Sequence, residues 1–331
     1  MAKFVIVGDI QFRGVNPIAR KDNFMDAIIE KIDEVHQIAK RIGAAAILTP
    51  GDLFDSPMVS YSVLLKLMTI LQKAPCSWVT IPGNHDLFGS NIDTYARTPM
   101  AVLEQAGVIC VLRDGQITDL STGVSSSVIT TGRGFDWEMD THPGTYAAPT
   151  NSDIHMVHGM LVTSPLPYEI KHTLIKDVKT TARVTICGHE HLGFGIIKRD
   201  DGKWFINPGA LCRESASEAE MQRQVQVAIL EIEKNAPTMD EAIKAELVPI
   251  TCARPAEEVL SREHIEAQAL RKEKMDYFLE LLGREGEGRF LEVREIIESI
   301  AEHEALPKAV RDEALRRISA AREELAGRRG M

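Results

Sequence analysis

Metal-binding residue types recur along this chain, each just after a short apolar segment. Eight residues share that position: Asp9, Gln11, Asp52, Asn84, His85, His158, His189 and His191. Carboxylate and amide oxygens and imidazole nitrogens are ligands of divalent first-row metals, and no thiolate is among them. Such a mixed set, supplied by several loops, suits two catalytic ions that keep positions open for water and substrate. The pattern therefore predicts a metal-dependent catalytic site.

Two pairs in this set are separated by a single residue. These are Asp9-x-Gln11 and His189-x-His191. Residues i and i+2 lie on the same side of an extended segment, so both members of each pair can point at one site.

The first part of the chain alternates apolar runs with segments of helical periodicity. The sequence predicts strands at 4–7, 44–48, 76–81 and 108–112, separated by helices at 22–41, 61–71 and 94–106. This alternation needs right-handed crossovers and predicts a largely parallel sheet that is covered on both faces. An α/β sheet presents its chemistry at the ends of such strands. Shorter strands follow, together with a long loop at 132–151 of the kind that is usually functional or disordered.

Composition sets limits on the class of protein. Of the 331 residues, 44% are hydrophobic and 26% are charged, which is ordinary for a soluble globular protein. The formal net charge of −10 argues against a protein that grips nucleic acid with its whole surface. The N-terminus shows no signal peptide, and no apolar run approaches the ~20 residues that span a bilayer, so we expect a cytoplasmic protein without membrane contact. The five cysteines contain no CxxC pair and are predicted to be buried free thiols.

The composition changes near residue 255, where Glu, Arg, Lys, Leu and Ala begin to dominate. Amphipathic helices are predicted at 255–282, 290–304 and 307–326, and the last two form a plausible helical hairpin. The predicted organisation is therefore a core at 1–235, a linker or last strand at 236–254, and a helical C-terminal region at 255–331.

Five ordered motifs closely resemble those of the calcineurin-like metallophosphoesterases: Gly8-Asp9-x-Gln11, Gly51-Asp52-x-x-Asp55, Gly83-Asn84-His85-Asp86, His158-Gly159 and Gly188-His189-x-His191. Details such as Asn207-Pro208-Gly209 with Arg213 are similar to the SbcD-type DNA repair nuclease branch. The resemblance covers about residues 1–232. It implies an α/β fold, a metallophosphoesterase four-layer αββα sandwich with a helical C-terminal extension. It also implies metal-dependent hydrolysis of DNA phosphodiesters, by exonuclease and endonuclease action, in repair or recombination.

The resemblance implies a role for each of the eight residues. Asp52 would bridge two ions, and six residues would divide between them: Asp9, Gln11 and His191 at the first, and Asn84, His158 and His189 at the second. Water acidified by the ions would attack phosphorus in line. His85 would stabilise transition-state charge or protonate the leaving oxygen. Asp55 would hold His85 in one tautomer, or else serve as the N-terminal residue of a helix near 56–57.

Gln11 departs from the family pattern, which usually has Asp-x-His at this position. A Gln oxygen is a weaker, neutral and harder donor than imidazole, so the first site should bind metal less tightly or favour Mn²⁺ or Mg²⁺ over zinc. We expect two divalent ions, Mn²⁺ foremost, with Mg²⁺, Fe or Zn²⁺ as alternatives. A tuned site, a half-empty site and a deliberately altered residue all fit the sequence.

Other residues near the motifs are candidates for contact with the substrate. Three arginines are predicted phosphate clamps, because Arg binds phosphate bidentately: Arg13, Arg133 and Arg213. Phe135 and Trp137 lie in the long loop and could either stack on a base or pack the core of the loop.

The expected partners also follow from the resemblance. They are DNA, a second copy of the chain bound through helices 61–71 and 94–106, and an SMC-like ATPase of the SbcC type bound through the C-terminal helices. Two alternatives stay open: a phosphodiesterase or phosphatase for a small nucleotide, which the negative charge favours, and a catalytically weakened scaffold marked by Gln11.

Overall fold

A computed structural model describes residues 1–120, 127–166, 170–233, 242–263, 265–266, 271–272, 274, 300–301, 306–314 and 316–317. The chain divides into two units, Met1–Arg262 and Glu263–Met331. In the second unit, residues 308–314 are helical, and Glu313 pairs with Arg316 and Arg317. Most of the predicted C-terminal helices lie outside the described residues.

The first unit consists of strands and helices. The strands are β1 Ala2–Ile6, β2 Ala46–Thr49, β3 Ser77–Thr80, β4 Ile109–Val111, β5 Ile117–Asp119, β6 Ile129–Arg133, β7 Ile154–Gly159, β8 Leu161–Val162, β9 Thr173–Leu174, β10 Val184–His189, β11 Gly195–Lys198, β12 Trp204–Asn207, β13 Gln226–Ile232 and β14 Ile243–Pro249. The helices are α1 Phe24–Ile42, α2 Tyr61–Leu71, α3 Pro99–Gln105, α4 Glu218–Gln222 and α5 Ala256–Val259.

Two six-stranded sheets organise the unit. The first has the order β14-β13-β1-β2-β3-β4, in which β1 to β4 are parallel and β13 runs antiparallel to β1. The second has the order β11-β12-β10-β7-β6-β5, with a parallel centre and an antiparallel strand at each edge. The predicted α/β class and the two-sheet sandwich are therefore confirmed.

Alternation along β1 explains why the sheets stack. Phe4 and Ile6 lie in the apolar core shared with β7, β10 and β12, whereas Val5 and Val7 lie in the core shared with α1, α2 and α3. A strand buried on both faces needs this continuous run of apolar residues, because successive side chains point to opposite faces.

The outer face of the second sheet is covered differently from that of the first. Its apolar cluster includes Met139, Tyr146, Ile175 and Val178. Among the described residues, this cover consists of 3₁₀ turns at Pro143–Tyr146 and Ile175–Asp177 and the β8–β9 pair, not of long helices.

Helix ends explain where the structure departs from the predicted elements. The predicted helix 94–106 is split, because Thr98 is extended and caps α3 while Pro99 starts the new helix. The predicted helix 255–282 breaks early: α5 ends before Leu260, whose backbone is extended and bridges to Arg20.

The cysteine prediction is wrong in part. All five cysteines are free, but Cys110 and Cys252 are exposed. Cys110 points outward from β4, which lies at the edge of its sheet, and Cys252 follows the end of β14. Across the part of the chain that the structure describes, no helix is both long and apolar enough to cross a membrane.

Helix α1 owes much of its stability to its buried face, on which Ile28 is fully buried. We expect Ile28→Ala to lower the free energy of unfolding by about 2–5 kcal/mol, through lost burial and a residual cavity. Urea denaturation followed by circular dichroism measures the change. Ile18→Ala makes the same replacement at a side chain that is 81% exposed, and it should shift stability by less than about 0.5 kcal/mol. Equal effects of the two variants would contradict this account of α1.

Candidate metal centre

The predicted metal-binding residues all lie at strand ends near one edge of the sandwich. Asp9 and Gln11 follow β1, Asp52 follows β2, and Asn84 follows β3. His158 and His189 are at the C-terminal ends of β7 and β10. These strands pair in parallel, and His158 is the register partner of Gly188. His191 comes two residues after His189. The structure brings these side chains together from five segments of chain.

Three of these residues have unusual backbone conformations. The φ angles of Gln11, Asp52 and His189 are 53°, 50° and 82°, in the left-handed region that side chains with a Cβ rarely adopt. Such backbone strain costs of order 1–3 kcal/mol per residue and clusters at functional sites. The backbone N–H of Gln11 also donates to the Asp52 carbonyl at 3.0 Å, which holds the two loops together.

Asp52 is the centre of the cluster and is fully buried. It belongs to two groups of ligand atoms that lie within 4.8 Å of one another, one with His158 and His189, the other with Asp9 and His191. A carboxylate has two oxygens and can face both groups at once. This is the arrangement that a pair of neighbouring cations requires.

The side-chain oxygen of Asn84 lies close to ring nitrogens of two histidines. Oδ1 of Asn84 lies 2.9 Å from Nε2 of His158 and 2.9 Å from Nδ1 of His189. Nδ1 of His158 donates to the Pro50 carbonyl at 2.7 Å, so the Nε2 of a neutral ring directs a lone pair at the Asn84 and Asp52 oxygens. A proton or a metal ion at this point removes the repulsion.

The pKa values of two of the three histidines show the same demand for positive charge. Burial lowers the pKa of His158, but the Asp52 carboxylate outweighs burial and raises that pKa above its ordinary value. Burial and the neighbouring His158 lower the pKa of His189 to about 4. Burial also lowers the pKa of His191, yet the hydrogen bond and charge of Asp9 raise it to about 9. The centre therefore attracts cations.

Gln11 contacts the shared carboxylate of Asp52 but presents its nitrogen to it. Its Nε2 donates to Oδ2 of Asp52 at 2.8 Å, while its Oε1 is buried and has no hydrogen-bond partner. An unsatisfied buried oxygen costs about 1–3 kcal/mol. A half-turn of the amide exchanges its two ends and offers that oxygen as a ligand. Together with the carboxylates and imidazoles around it, this orphan oxygen fits divalent metal ions at the centre.

We expect Gln11→His to bind Mn²⁺ more tightly at the group with Asp9 and His191, because imidazole is a stronger donor than an amide oxygen. The gain should be roughly tenfold in affinity, or about 1.4 kcal/mol. Isothermal titration of the chelator-treated protein measures both affinity and stoichiometry. Gln72→His, at the C-terminal end of α2, is the matched control and should leave both unchanged. Equal affinity and stoichiometry in Gln11→His and the parent chain would contradict the prediction.

His85 sits beside the centre, and its orientation is set by the backbone. Its own N–H donates to Oδ1 of Asp52 at 2.8 Å, and its Nδ1 lies 2.8 Å from the Asp55 carbonyl oxygen. That oxygen can only accept, so Nδ1 carries a hydrogen and Nε2 is left for chemistry. The sequence predicted this contact for the Asp55 carboxylate, which instead pairs with Arg13 at 3.1 Å.

Asp86 is a buried carboxylate whose role was not predicted from the sequence. It accepts hydrogen bonds from the backbone N–H groups of Leu53, Phe54 and Gly83, at 3.3, 2.9 and 2.9 Å. Burial and the Asp52 charge raise its pKa well above the ordinary value. Asp86 therefore ties the Asp52 loop to the Asn84 loop. Its position in the Gly83-Asn84-His85-Asp86 motif is the feature of the sequence that could have indicated this role.

Gly83 is required by the same close approach of two loops. A Cβ at this position would lie 2.2 Å from Oδ1 of Asp52 and 2.3 Å from its backbone nitrogen. Any side chain here would push Asp52 out of the position from which it faces both groups.

The three predicted phosphate-binding arginines differ in availability. The guanidinium of Arg213 is buried and donates to the backbone carbonyls of Glu220, Arg223 and Arg254, so it holds the scaffold and the prediction of a phosphate clamp is wrong. Arg13 is partly exposed and pairs with Asp55 and Glu214 at 3.1 and 2.6 Å.

Arg133 also makes hydrogen bonds within the protein. It donates to the Thr145 carbonyl at 3.1 Å and to Asp136 at 2.9 Å. These bonds hold the loop after β6 against the end of its strand, which limits the reach of Arg133 toward a phosphate.

A model of the calcineurin-like phosphoesterase superfamily domain matches residues 26–235, well over half of the chain. Among solved structures, the chain is similar to the calcineurin-like phosphoesterase YfkN from Bacillus subtilis, with 12% identity, a TM-score of 0.43, and coverage of 83% of this chain and 97% of that one. It is also similar to a dimetal phosphatase from Danio rerio, with 10% identity, a TM-score of 0.44, and coverage of 76% and 99%.

A third similar structure is a Staphylococcus aureus protein assigned as a 5′-nucleotidase and solved with α-ketoglutarate, with 15% identity and a TM-score of 0.43. The alignment covers 75% of this chain and 54% of that protein, so the chain spans about half of its length. No curated protein matches the chain.

Proposed function

Because the chain belongs to the calcineurin-like phosphoesterase superfamily, we propose that it hydrolyses phosphodiester bonds with two divalent metal ions bound around Asp52. One observation supports this most. Asp52 belongs to both groups of metal-binding side chains, and the same carboxylate accepts the backbone N–H of His85. A shared carboxylate next to an imidazole provides the parts that two-metal phosphoryl chemistry needs.

The proposed ligands divide as the side chains cluster. Asp9, Gln11 and His191 would hold one ion, Asn84, His158 and His189 the other, and Asp52 both. When bound, two such ions supply positive charge for the phosphate oxygens and lower the pKa of water. Oxygen donors make up four of these seven ligands, which favours Mn²⁺ or Mg²⁺ over softer metals.

His85 has the geometry of a proton donor in this proposal. Its Nδ1 is engaged by the Asp55 carbonyl, so a proton for the leaving oxygen must come from Nε2. A positioned acid of this kind contributes typically 10²–10⁴-fold to a rate.

DNA is the proposed substrate, and the SbcD-like order of motifs supports it. A small nucleotide is the second candidate, because the net charge is −10 and Arg213 is unavailable for phosphate. The choice matters for where specificity is found. A DNA nuclease needs contacts along the strand, whereas a nucleotide phosphodiesterase needs only one subsite.

The deciding experiment compares substrates under defined metal. The full chain is stripped with chelator, reloaded with Mn²⁺, Mg²⁺ or Zn²⁺, and assayed on end-labelled single- and double-stranded DNA and on thymidine 5′-p-nitrophenyl phosphate. We expect Mn²⁺-dependent cleavage that chelator abolishes. Cleavage of the small diester alone would favour the second candidate, and no metal-dependent cleavage of any substrate would refute the proposal.

Partners and location belong to the same proposal. The exposed side chains of Tyr61, Leu65 and Val102 support a homodimer through α2 and α3, which sedimentation of the full chain would test. Pull-down with an SMC-like ATPase, with and without residues 255–331, would test the second partner. Free thiols at all five cysteines support a reducing compartment such as the cytoplasm.

A further inference from the structure

Trp137 is an aromatic side chain that the proposed chemistry does not use. Two-thirds of it, 66%, is exposed, whereas Trp78 is buried in the core and Trp204 is half-buried. Single exposed apolar side chains are common on protein surfaces, so the case for a role of Trp137 depends on where this ring lies.

Phe135 connects this indole to the metal centre. Its ring centroid lies 5.8 Å from that of His189 and 6.2 Å from that of His158. On the other side it lies 5.9 Å from the Trp137 ring, in an edge-to-face arrangement of 76°. Phe135 is therefore placed between two proposed metal ligands and the exposed indole.

The loop that carries both rings is held in place. The backbone N–H of Phe135 donates to the Pro82 carbonyl at 2.8 Å, and Arg133 pairs with Asp136 at 2.9 Å. A Cβ at Gly134 would come within 3.0 Å of the same carbonyl, so the loop lies directly on the turn before Asn84. A surface fixed in this way costs little entropy when a ligand binds.

We propose that Phe135 and Trp137 form an aromatic shelf that takes a nucleobase of the substrate whose phosphate lies at the metal centre. The proposal rests on the proposed function and specifies one of its subsites. Charge selects the occupant: the charge of Asp136 is balanced by Arg133, while Glu138 follows Trp137 in the sequence and disfavours a second phosphate there but not a neutral base. Stacking on indole is open to every base, since every base has a π-face.

The kinetic test uses two Mn²⁺-dependent substrates with the same leaving group, one of which carries a nucleoside and the other only a methyl group. These are thymidine 5′-p-nitrophenyl phosphate and methyl p-nitrophenyl phosphate. We expect Trp137→Ala to raise KM for the thymidine substrate roughly 5- to 100-fold and to leave KM for the methyl substrate within about twofold. Trp137→Phe should restore most of the loss. The control is Ile170→Ala, an exposed apolar side chain on another loop, which should match the parent chain on both substrates.

A binding test reads the shelf without turnover. Tryptophan emission of the full chain with Mg²⁺ is titrated with thymidine 5′-phosphate and with deoxyribose 5-phosphate, and only the first should change it, through Trp137. Labelled oligonucleotides then identify the source of the base, since a KM effect of Trp137→Ala on them points to DNA and its confinement to the small diester points to free nucleotides.

The outcomes distinguish failure of the aromatic shelf from failure of the proposed hydrolysis. Equal KM effects on both small substrates, or equal emission changes with both ligands, would overturn the shelf while leaving the proposed hydrolysis standing. If the chain hydrolyses nothing, the emission titration still decides whether a base binds at Trp137.

Discussion

Replacing Asp52 by asparagine is expected to reduce phosphodiester hydrolysis by roughly 10³-fold or more, or about 4 kcal/mol of transition-state stabilisation. The amide keeps the size of the side chain but removes the one negative charge that both groups of ligand atoms share. It also removes the partner that raises the pKa of His158. Both proposed ions should therefore bind less tightly. A substitution at Asp9, which lies in one group only, should weaken the binding of one ion.

The measurement pairs kinetics with metal titration. Mn²⁺-dependent turnover of thymidine 5′-p-nitrophenyl phosphate gives kcat and KM, and calorimetry gives the number of ions bound. Asp200→Asn, an identical change at the exposed turn before β12, controls for the chemistry of the replacement. If Asp52→Asn kept normal turnover and stoichiometry, the shared carboxylate would not be the bridge and the proposed centre would have to be redrawn.

Replacing His85 by asparagine should lower kcat about 10²- to 10⁴-fold, the range for a positioned acid or base. Unlike the Asp52 variant, it should leave Mn²⁺ affinity within about twofold, because neither of the two groups of ligand atoms around Asp52 contains His85. The backbone N–H that donates to Asp52 also survives the substitution. Loss of turnover with retained metal distinguishes an enzyme from a metal-binding scaffold.

Leaving groups reveal what His85 does. A p-nitrophenolate departs without a proton, whereas the alkoxide of thymidylyl-thymidine needs one, so a general acid predicts a much larger defect on the dinucleotide. Equal defects would assign His85 to charge stabilisation instead. His172→Asn is the matched control, since its Nδ1 also contacts a backbone carbonyl, that of Ile170, at 2.7 Å. Full activity of His85→Asn on the dinucleotide would exclude both roles.

The strand-end residues were predictable because parallel strands impose their own geometry. Once β1, β2 and β3 are adjacent and parallel, the residues that follow each strand must emerge at one edge. The two-residue spacings of Asp9 with Gln11 and of His189 with His191 then bring each pair toward one site. Local pattern and topology point to the same answer here, which is why metal-binding residue types could be read from sequence.

Contacts to the backbone could not be read in this way. Arg213 looked available for phosphate, yet its partners are backbone carbonyls 7, 10 and 41 residues further along the chain, and every residue type offers the same carbonyl. For the same reason the sequence assigned His85 to the Asp55 carboxylate when the backbone oxygen of that residue makes the contact. Side-chain types alone do not indicate which main-chain acceptor a residue will meet.

The sequence by itself determined the α/β class, the alternation of strand and helix, and the residue types that gather at the strand ends, because these depend on local periodicity and on the geometry of parallel strands. Only the tertiary structure decided which side chains are left over for chemistry. Asp86 and Arg213 use their polar atoms in hydrogen bonds to backbone groups, whereas Trp137 is left exposed. That allocation depends on which polar groups find partners during packing, and partners distant in sequence leave no periodic signal.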